Sequence, residues 1–378
     1  MPTNGAILVL NSGSSSLKFG LFTMAEDGTE VLAFEGNAER IGRPDGQLHV
    51  KASDGRILLA EDQIFESQSD ALRKINRALQ NAGAATPAGI GHRVVHGGPH
   101  LREHTRITPE VLALLKKAEP FAPLHIPGAL ALIEQTTKLY PDLPQLACFD
   151  TAFHRTMPDV AAVLPIPARY KDGGIIRYGF HGLSYESIVA RLGSDLPSRA
   201  VFAHLGSGSS LVAVRDAKSV DTTMGLTPTG GVPMGTRTGD LDPGVLLYLL
   251  RQEKLSAEVL ERLVDHESGL AGYSGGESDM QALLARETSG DPAAALAVEA
   301  FCTAVRKTVG AYAALLGGLD LLVFTGGIGE HSAPVRRKIC AGLQFLGLHE
   351  EQQQRGKVRV LPTGEDAQIA GHCRRLLG

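Results

Sequence analysis

The segment NSGSSSLKFGLF, residues 11–22, follows directly on the apolar run AILVL. Small residues let a backbone approach a ligand closely, and serine O–H and backbone N–H groups are donors that a phosphate accepts from. Lys18 adds one positive charge. The same twelve residues also read as a β-hairpin with a serine-rich turn, and taken alone they divide the two readings evenly. They form no Walker A loop, because G-x-x-x-x-G-K-[ST] occurs nowhere, and no dinucleotide fingerprint, because G-x-G-x-x-G is missing and a strand follows. HLGSGSS (204–210) repeats the arrangement between the apolar runs VFA and LVAV, so that SGSSSL (12–17) aligns with GSGSSL (206–211) about half a chain away. Two such turns could grip opposite sides of a polyphosphate.

Other candidates lie in glycine-flanked loops. TGGIGEHS (325–332) follows a strand pattern and reads as a βα loop that could seat a nucleoside or favour an anion at a helix start. GHRVVHGG and MGTRTGDLDPG each hold one arginine, Arg93 and Arg237, suited to bidentate contacts with carboxylate or phosphate. The plain alternative for Arg237 is a structural pair with Asp240 or Asp242. His125 in PLHIPG, Asp150 and His154 in FDTAFH, and Phe180 and His181 in YGFHGLS put polar groups among apolar or small ones. Each histidine could equally be a hydrogen-bonded core residue. No H-E-x-x-H spacing suggests zinc. GYSGG (272–276) matches G-x-S-x-G with Ser274 as nucleophile, but the polar stretch before it does not read as the buried strand such an elbow needs.

The elements that must position these residues follow from patterning. The 378 residues suggest two domains. A hydrophobic share of 43%, a charged share of 21% and a net charge of −4 fit a globular protein with no nucleic-acid partner. Four widely spaced cysteines without C-x-x-C argue for a reducing compartment, and no run of about 18 uncharged apolar residues suggests a membrane span. The expected location is cytoplasmic. The chain opens with strands joined by short turns. It continues with a helix at 69–83 carrying Leu72, Ile75 and Leu79 on one face, a strand into GHRVVHGG, and a helix capped by Thr108 with Pro109 at its first position. A further helix and the strand QLACFD close the first half. The second half repeats strand, Gly/Ser loop and strand, then has helices near 244–265 and 278–288 and an alanine-rich helix from about 292 to 316. It ends in strand, glycine loop, helix, and a last strand, loop and helix in which Thr363 and Asp366 could form a capping box. Strands paired by hairpins and then alternating with helices, twice, predict two α/β domains of similar plan with a cleft between them.

In their order, NSGSSSLKFGLF, GHRVVHGG, APLHIPG, CFDTAFHRTMP, RYGFHGLS, HLGSGSS, MGTRTGDLDPG, SGLAGYSGGESDM, VFTGGIGEHS and LPTGEDAQIA resemble the successive signatures of the acetate kinase family from about residue 6 to 371. The resemblance implies two ribonuclease-H-like α/β domains in duplicated arrangement with an interdomain nucleotide cleft, as in the acetate and sugar kinase, heat-shock 70 and actin superfamily. The expected division is 1–149 plus 366–378 against 150–365. The resemblance also implies a homodimer, small-molecule substrates, and reversible phosphoryl transfer from ATP to acetate with Mg²⁺, or Mn²⁺ in its place. By resemblance, Asn11 and Glu365 belong to the metal, and Ser14, Ser16 and Lys18 to the first phosphate loop. Arg93 and Arg237 bracket the carboxylate and the phosphoryl group. His181 donates to the phosphoryl oxygens with His125 nearby, and Asp150 takes the acid/base position, where it is expected to orient an arginine. His204, Leu205, Gly206, Ser207 and Gly208 form the second phosphate loop. Asp279, Met280, Gln281, Gly327, Ile328, Gly329, Glu330 and His331 fall on the adenosine pocket, and Val95, Leu124, Phe180 and Pro228 on the acyl pocket.

The chain departs from the family pattern at Ser207, His331 and Gly364, each in place of a usual Asn, and at Gln281 in place of an Arg. All four fall on the nucleotide and metal side, so weakened ATP binding or relaxed base selectivity is expected. The alternatives are a propionate kinase, a pyrophosphate-dependent relative, and, outside enzymes, a nucleotide-binding regulatory module.

Overall fold

The structure is a computed structural model that describes residues 5–12, 16–62, 64–123, 125–350 and 356–377. Ser14 and Leu124 lie outside the described residues. The chain divides into two compact units, Met1–Ala152 with Gly364–Gly378 and Phe153–Thr363. Asp150 and Glu365, expected in the second domain, fall in the first unit, where both carboxylates lie against Arg93.

The first unit contains β1 (Ala6–Ser12), β2 (Leu17–Met24), β3 (Glu30–Glu39), β4 (Gln47–Ala52), β5 (Ile57–Asp62), α1 (Gln68–Asn81), β6 (Pro87–Val94), β7 (Thr105–Arg106), α2 (Pro109–Lys117), α3 (Ile126–Leu139) and β8 (Gln145–Phe149). Its sheet runs β5-β4-β3-β2-β1-β6-β8-β7. β1, β2 and β3 form an antiparallel meander, and β6 and β8 add parallel to β1. Local chemistry sets the helices. The Thr108 hydroxyl accepts from the Val111 amide at 3.3 Å and Pro109 opens α2, while α1 buries Ala71, Leu72, Ile75 and Leu79.

The second unit holds α4 (Asp159–Ala162), α5 (Ala168–Asp172), α6 (Gly182–Leu192), β9 (Arg199–Leu205), β10 (Ser209–Arg215), β11 (Lys218–Thr222), α7 (Pro243–Arg251), α8 (Ala257–His266), α9 (Gly269–Ser274), α10 (Met280–Thr288), α11 (Pro292–Leu316), β12 (Leu321–Thr325), α12 (Gly326–His331), α13 (Ala333–Cys340) and β13 (Val358–Val360). Its sheet runs β11-β10-β9-β12-β13, with β9, β10 and β11 antiparallel and β12 and β13 parallel to β9. This is the order and sense of β3-β2-β1-β6-β8, so the duplication suggested by two Gly/Ser loops is a duplication of topology. Both sheet faces are covered, which is why β9 is almost wholly apolar. Val201, Ala203 and Leu205 pack into the cluster containing α11, and Ala200 and Phe202 into the one containing Tyr185 and Ile188 of α6.

The chain then returns to the first unit as α14 (Glu365–Leu377). A β-carbon on Gly91 of β6 would stand 2.5 Å from the Ile369 side chain and 2.7 Å from Cys373 Sγ, so only glycine lets α14 lie this close to the sheet.

Three expectations need correction. The glycine stretch after β12 is not a loop: α12 begins at Gly326, immediately after the strand. The span 244–265 holds two helices, broken around Lys254, whose φ is +53°. α14 starts at Glu365, so Gly364 with φ +74°, and not Thr363, is the residue before it, and the expected capping box is not the start of the helix. Among the described residues no helix is long and apolar enough to cross a membrane.

Candidate active site

In the first unit, three neighbouring strands deliver polar groups at their carboxyl ends, where open α/β sheets bind ligands. Asn11 lies near the end of β1, Arg93 is the penultimate residue of β6, and Asp150 follows β8 directly. Arg93 Nε donates to Asp150 Oδ1 at 3.1 Å and its Nη2 donates to Oδ2 at 2.6 Å. Its Nη1 donates to Asn11 Oδ1 at 3.4 Å, and Glu365 Oε2 stands 3.8 Å from Nε. Asp150 is 1% exposed, and the fork–fork geometry uses both of its oxygens. Burial alone would lower the Arg93 pKa, but Asp150, Glu365 and Asp366 together raise it above its ordinary value. The Asp366 carboxyl is pushed up to about 6 by burial and by Glu365, with Arg93 and Lys18 opposing.

Lys18 pairs with Asn11 across the β1–β2 hairpin and is exposed. Ser16 and Val95 are half-buried in this unit, and His125 stands just before α3. The oxygens of Asn11 and Glu365 converge on one guanidinium whose charge Asp150 already balances. Glu365 and Asp366 then leave negative charge in excess of Lys18. Two hard oxygen donors in such a setting fit Mg²⁺, which takes one or two protein ligands and fills its sphere with phosphate and water.

The second unit builds its own cluster on the β9–β10 hairpin. His181 precedes α6 in a left-handed conformation (φ 58°, ψ 22°), which a β-carbon disfavours. Its ring stacks on His204 with centroids 4.1 Å apart and planes 15° apart. His181 Nδ1 is 2.9 Å from Ser210 Oγ, and His204 Nδ1 is 3.0 Å from Ser184 Oγ. A β-carbon on Gly208 would stand 3.4 Å from Arg237 Nη1 and 3.5 Å from His181 Nε2, so both nitrogens face the loop backbone at one point. Arg237 does not pair with Asp240 or Asp242. Its Nη1 donates to Pro228 O at 3.2 Å, Asp240 accepts from Gly231 N, and Asp242 caps α7. Burial lowers the Arg237 pKa, with Asp265 acting in the other direction.

The expected adenosine residues divide by burial. Gln281 and His331 are exposed, while Met280 is 3% exposed and belongs to the core. Asp279 uses a carboxylate oxygen to cap α10 at Ala282 N. Glu330 Oε1 accepts from Gly326 N at 3.0 Å and from Thr363 N at 3.2 Å, so it closes the turn that opens α12. Gly326, with φ +79°, would carry a β-carbon 2.6 Å from Leu205 O, so only glycine brings α12 against the end of β9. Leu205 itself is core, which leaves only its backbone to face the loop. Phe180 is 1% exposed and its carbonyl accepts from His154 Nε2 at 2.9 Å. Ser274 ends a helix, not a strand, and its hydroxyl donates to Glu277 O at 2.7 Å and accepts from Glu277 N at 2.9 Å; it is a turn residue and not a nucleophile. Sequence reasoning missed Ser184, Tyr185, Ser210 and Asp366. Ser184, Ser210 and Asp366 sit inside the quoted motifs and Tyr185 directly follows one, but no spacing links position 185 to 210.

The sequence profile of the Acetokinase family matches residues 6–371. The chain is 41% identical over 397 aligned residues to an acetate kinase of Rhodopseudomonas palustris (strain ATCC BAA-98 / CGA009), covering 98% of both chains. It is 40% identical to a propionate kinase of Citrobacter rodentium (strain ICC168), covering 98% of this chain and 96% of that one. Among solved structures, Porphyromonas gingivalis acetate kinase superposes with a TM-score of 0.88 at 34% identity, covering 99% of this chain and all of that one. A propionate kinase from Francisella tularensis subsp. tularensis superposes with a TM-score of 0.89 at 34% identity, covering 97% and 98%. With a profile spanning nearly its whole length and relatives at this identity, the chain belongs to the acetokinase family, whose members are kinases that use ATP.

Proposed function

We propose that this chain reversibly transfers the γ-phosphoryl group of ATP to a carboxylate oxygen of acetate, giving acetyl phosphate and ADP. The observation that carries the reading is the Arg93–Asp150 fork at the carboxyl ends of β6 and β8, with Asn11 and Glu365 oxygens around the same guanidinium. Acetate is already ionised at neutral pH, so the acceptor needs no general base. The work left to the protein is positioning and charge stabilisation. Arg93 holds the acceptor. Asp150, with both oxygens committed to Arg93, orients it and carries no proton. Arg237 and His181 face one point at Gly208 and donate to the oxygens of the group in flight, while the O–P bond to acetate forms and the bond to the leaving ADP oxygen breaks. The first-loop residues Ser16 and Lys18, the 204–208 backbone and the residues around α10 and α12 bind the nucleotide. Asn11 and Glu365 would hold Mg²⁺, which when bound offsets phosphate charge.

Propionate is the second acceptor to consider, because relatives named for either acid stand at 41% and 40% identity. Val95 narrows the acyl site, yet one methylene is worth only about 1–3 kcal/mol, so the preference for acetate is modest. Pyrophosphate is the second donor, motivated by Ser207, Gln281, His331 and Gly364. The chain works as a cytoplasmic homodimer in this reading. Its four cysteines are all buried, as suits a reducing compartment. Neither α7 nor α8 buries a residue, and Leu247 and Tyr248 are 48% and 59% exposed, an apolar face suited to a second copy. Initial rates of hydroxamate formation with acetate or propionate, and with ATP or pyrophosphate, test the whole reading. Acetyl hydroxamate with ATP and Mg²⁺ at the highest kcat/KM supports it. Product only with pyrophosphate overturns the donor, and none with any pair overturns the activity.

A further inference from the structure

We infer that Tyr185 and Ser210 are positioning residues that hold His181 as the neutral Nε2–H tautomer, so that it serves the phosphoryl group as a hydrogen-bond donor and not as a proton carrier. The inference rests on the reading of His181 as a phosphoryl ligand given above.

Ser210 Oγ lies between two partners, 2.5 Å from Tyr185 OH and 2.9 Å from His181 Nδ1. Each hydroxyl has one proton to donate. The phenol is the more acidic of the two hydroxyls and the better donor. Tyr185 therefore donates to Ser210, and Ser210 donates its own proton to His181 Nδ1. An imidazole whose Nδ1 accepts keeps its proton on Nε2. Nε2 is the atom that faces the Gly208 backbone beside Arg237 Nη1.

The surroundings agree with a neutral ring. The Arg237 guanidinium faces the same point, and His204 stacks flat on His181, so a further positive charge on His181 would meet an existing cation and a second imidazole. The scaffold is built for the pair. The first turns of α6 supply Ser184 to His204 and Tyr185, through Ser210, to His181. Ser210 is also the cross-strand partner of His204 in the β9–β10 hairpin. Ser184, Tyr185 and Ser210 are all fully buried, so these contacts do not exchange with solvent. His181 itself holds a left-handed backbone immediately before this turn. Transfer to an ionised carboxylate moves no proton, and a fixed N–H donor is the form of histidine that such a step uses.

The test combines ¹⁵N NMR of histidine-labelled full-length protein with kinetics. The His181 resonances are assigned by their loss in His181→Gln. The expected wild-type pattern at neutral pH is a pyridine-type Nδ1 and a pyrrole-type Nε2. Tyr185→Phe and Ser210→Ala are expected to mix the tautomers and lower kcat about tenfold, the effect of one lost hydrogen bond, with KM for acetate and ATP unchanged. Ser210→Thr, which keeps a hydroxyl, is expected to restore both. If Ser210→Ala does not fold, Tyr185→Phe, which removes a single oxygen, gives the same reading. A protonated or Nδ1–H His181 in the wild type, or unchanged kcat in both variants, overturns the relay. An inactive His181→Gln beside unaffected relay variants leaves the phosphoryl-ligand reading standing and removes only the relay; a fully active His181→Gln removes both.

Discussion

Replacing Asp150 by asparagine and by alanine separates an orienting carboxylate from one that moves a proton. Asp150 makes two bonds to Arg93, at 3.1 and 2.6 Å, and is 1% exposed. Asparagine keeps one acceptor and loses one charge-assisted bond, about 1.5–3 kcal/mol, or a ten- to hundredfold fall in kcat/KM for acetate. Alanine leaves the guanidinium without its fork. Breaking a buried pair costs about 3–5 kcal/mol, and Glu365 at 3.8 Å together with the 21% exposure of the Arg93 side chain places this case near the lower end. Alanine should therefore be the worse variant, beyond hundredfold in rate, with a loss of about 3 kcal/mol in urea unfolding. The assay is the hydroxamate initial rate as a function of pH, beside the unfolding curve. An orienting Asp150 predicts that the acid limb of the profile survives in Asp150→Asn. Equal losses in both variants, of the ~10²–10⁴ that general acid–base catalysis contributes, with disappearance of that limb, would refute the reasoning.

His92 is 1% exposed, and burial pushes it down to about 4 although Gln145 opposes the shift. The folded chain then binds fewer protons than the unfolded one between pH 4 and 6.5, so this contribution is complete above about 6.5 and is lost on acidification toward 4, by about 3 kcal/mol. Urea midpoints of the first unit at neutral and acid pH should show a slope that His92→Gln flattens, and equal slopes would count against it. Gly208→Ala adds a methyl in ordinary contact with Arg237 and His181. Unfolding should change by no more than about 0.5 kcal/mol while kcat falls about a hundredfold, and an active variant would mean the two donors serve something else. Leu247→Glu with Tyr248→Glu should turn a dimer into a monomer by light scattering; a variant that stays dimeric would place the interface elsewhere.

Much of this architecture is legible in the residues. The caps at Thr108 and Asp291 are local chemistry, so α2 and α11 begin where their sequences say. The two Gly/Ser segments mark the duplication because small residues between a buried strand and its antiparallel partner leave a compositional trace. What is not legible depends on tertiary contact. Gly326 and Glu330 read as loop because the reason for α12, Glu330 reaching back to Gly326 N and across to Thr363 N, spans 33 residues. Met280 sits in a motif that suggests a ligand, but it faces inward because α10 packs on α11. Arg93, Asp150, Asn11 and Glu365 are far apart in the chain, and only the parallel pairing of β1, β6 and β8 and the return of α14 bring them together. The Tyr185–Ser210–His181 chain has no sequence signature at all, since hydroxyls this far apart are joined only by the packing of α6 on the hairpin.

The measurement that tests the central claim most directly is ³¹P NMR of the reaction with ATP, Mg²⁺ and acetate labelled with ¹⁸O in its carboxylate. Direct transfer to the acetate oxygen predicts an acetyl phosphate signal shifted by ¹⁸O in the C–O–P bridge, lost in Arg93→Ala. Inorganic phosphate without acetyl phosphate, or acetyl phosphate formed undiminished by Arg93→Ala, would contradict it.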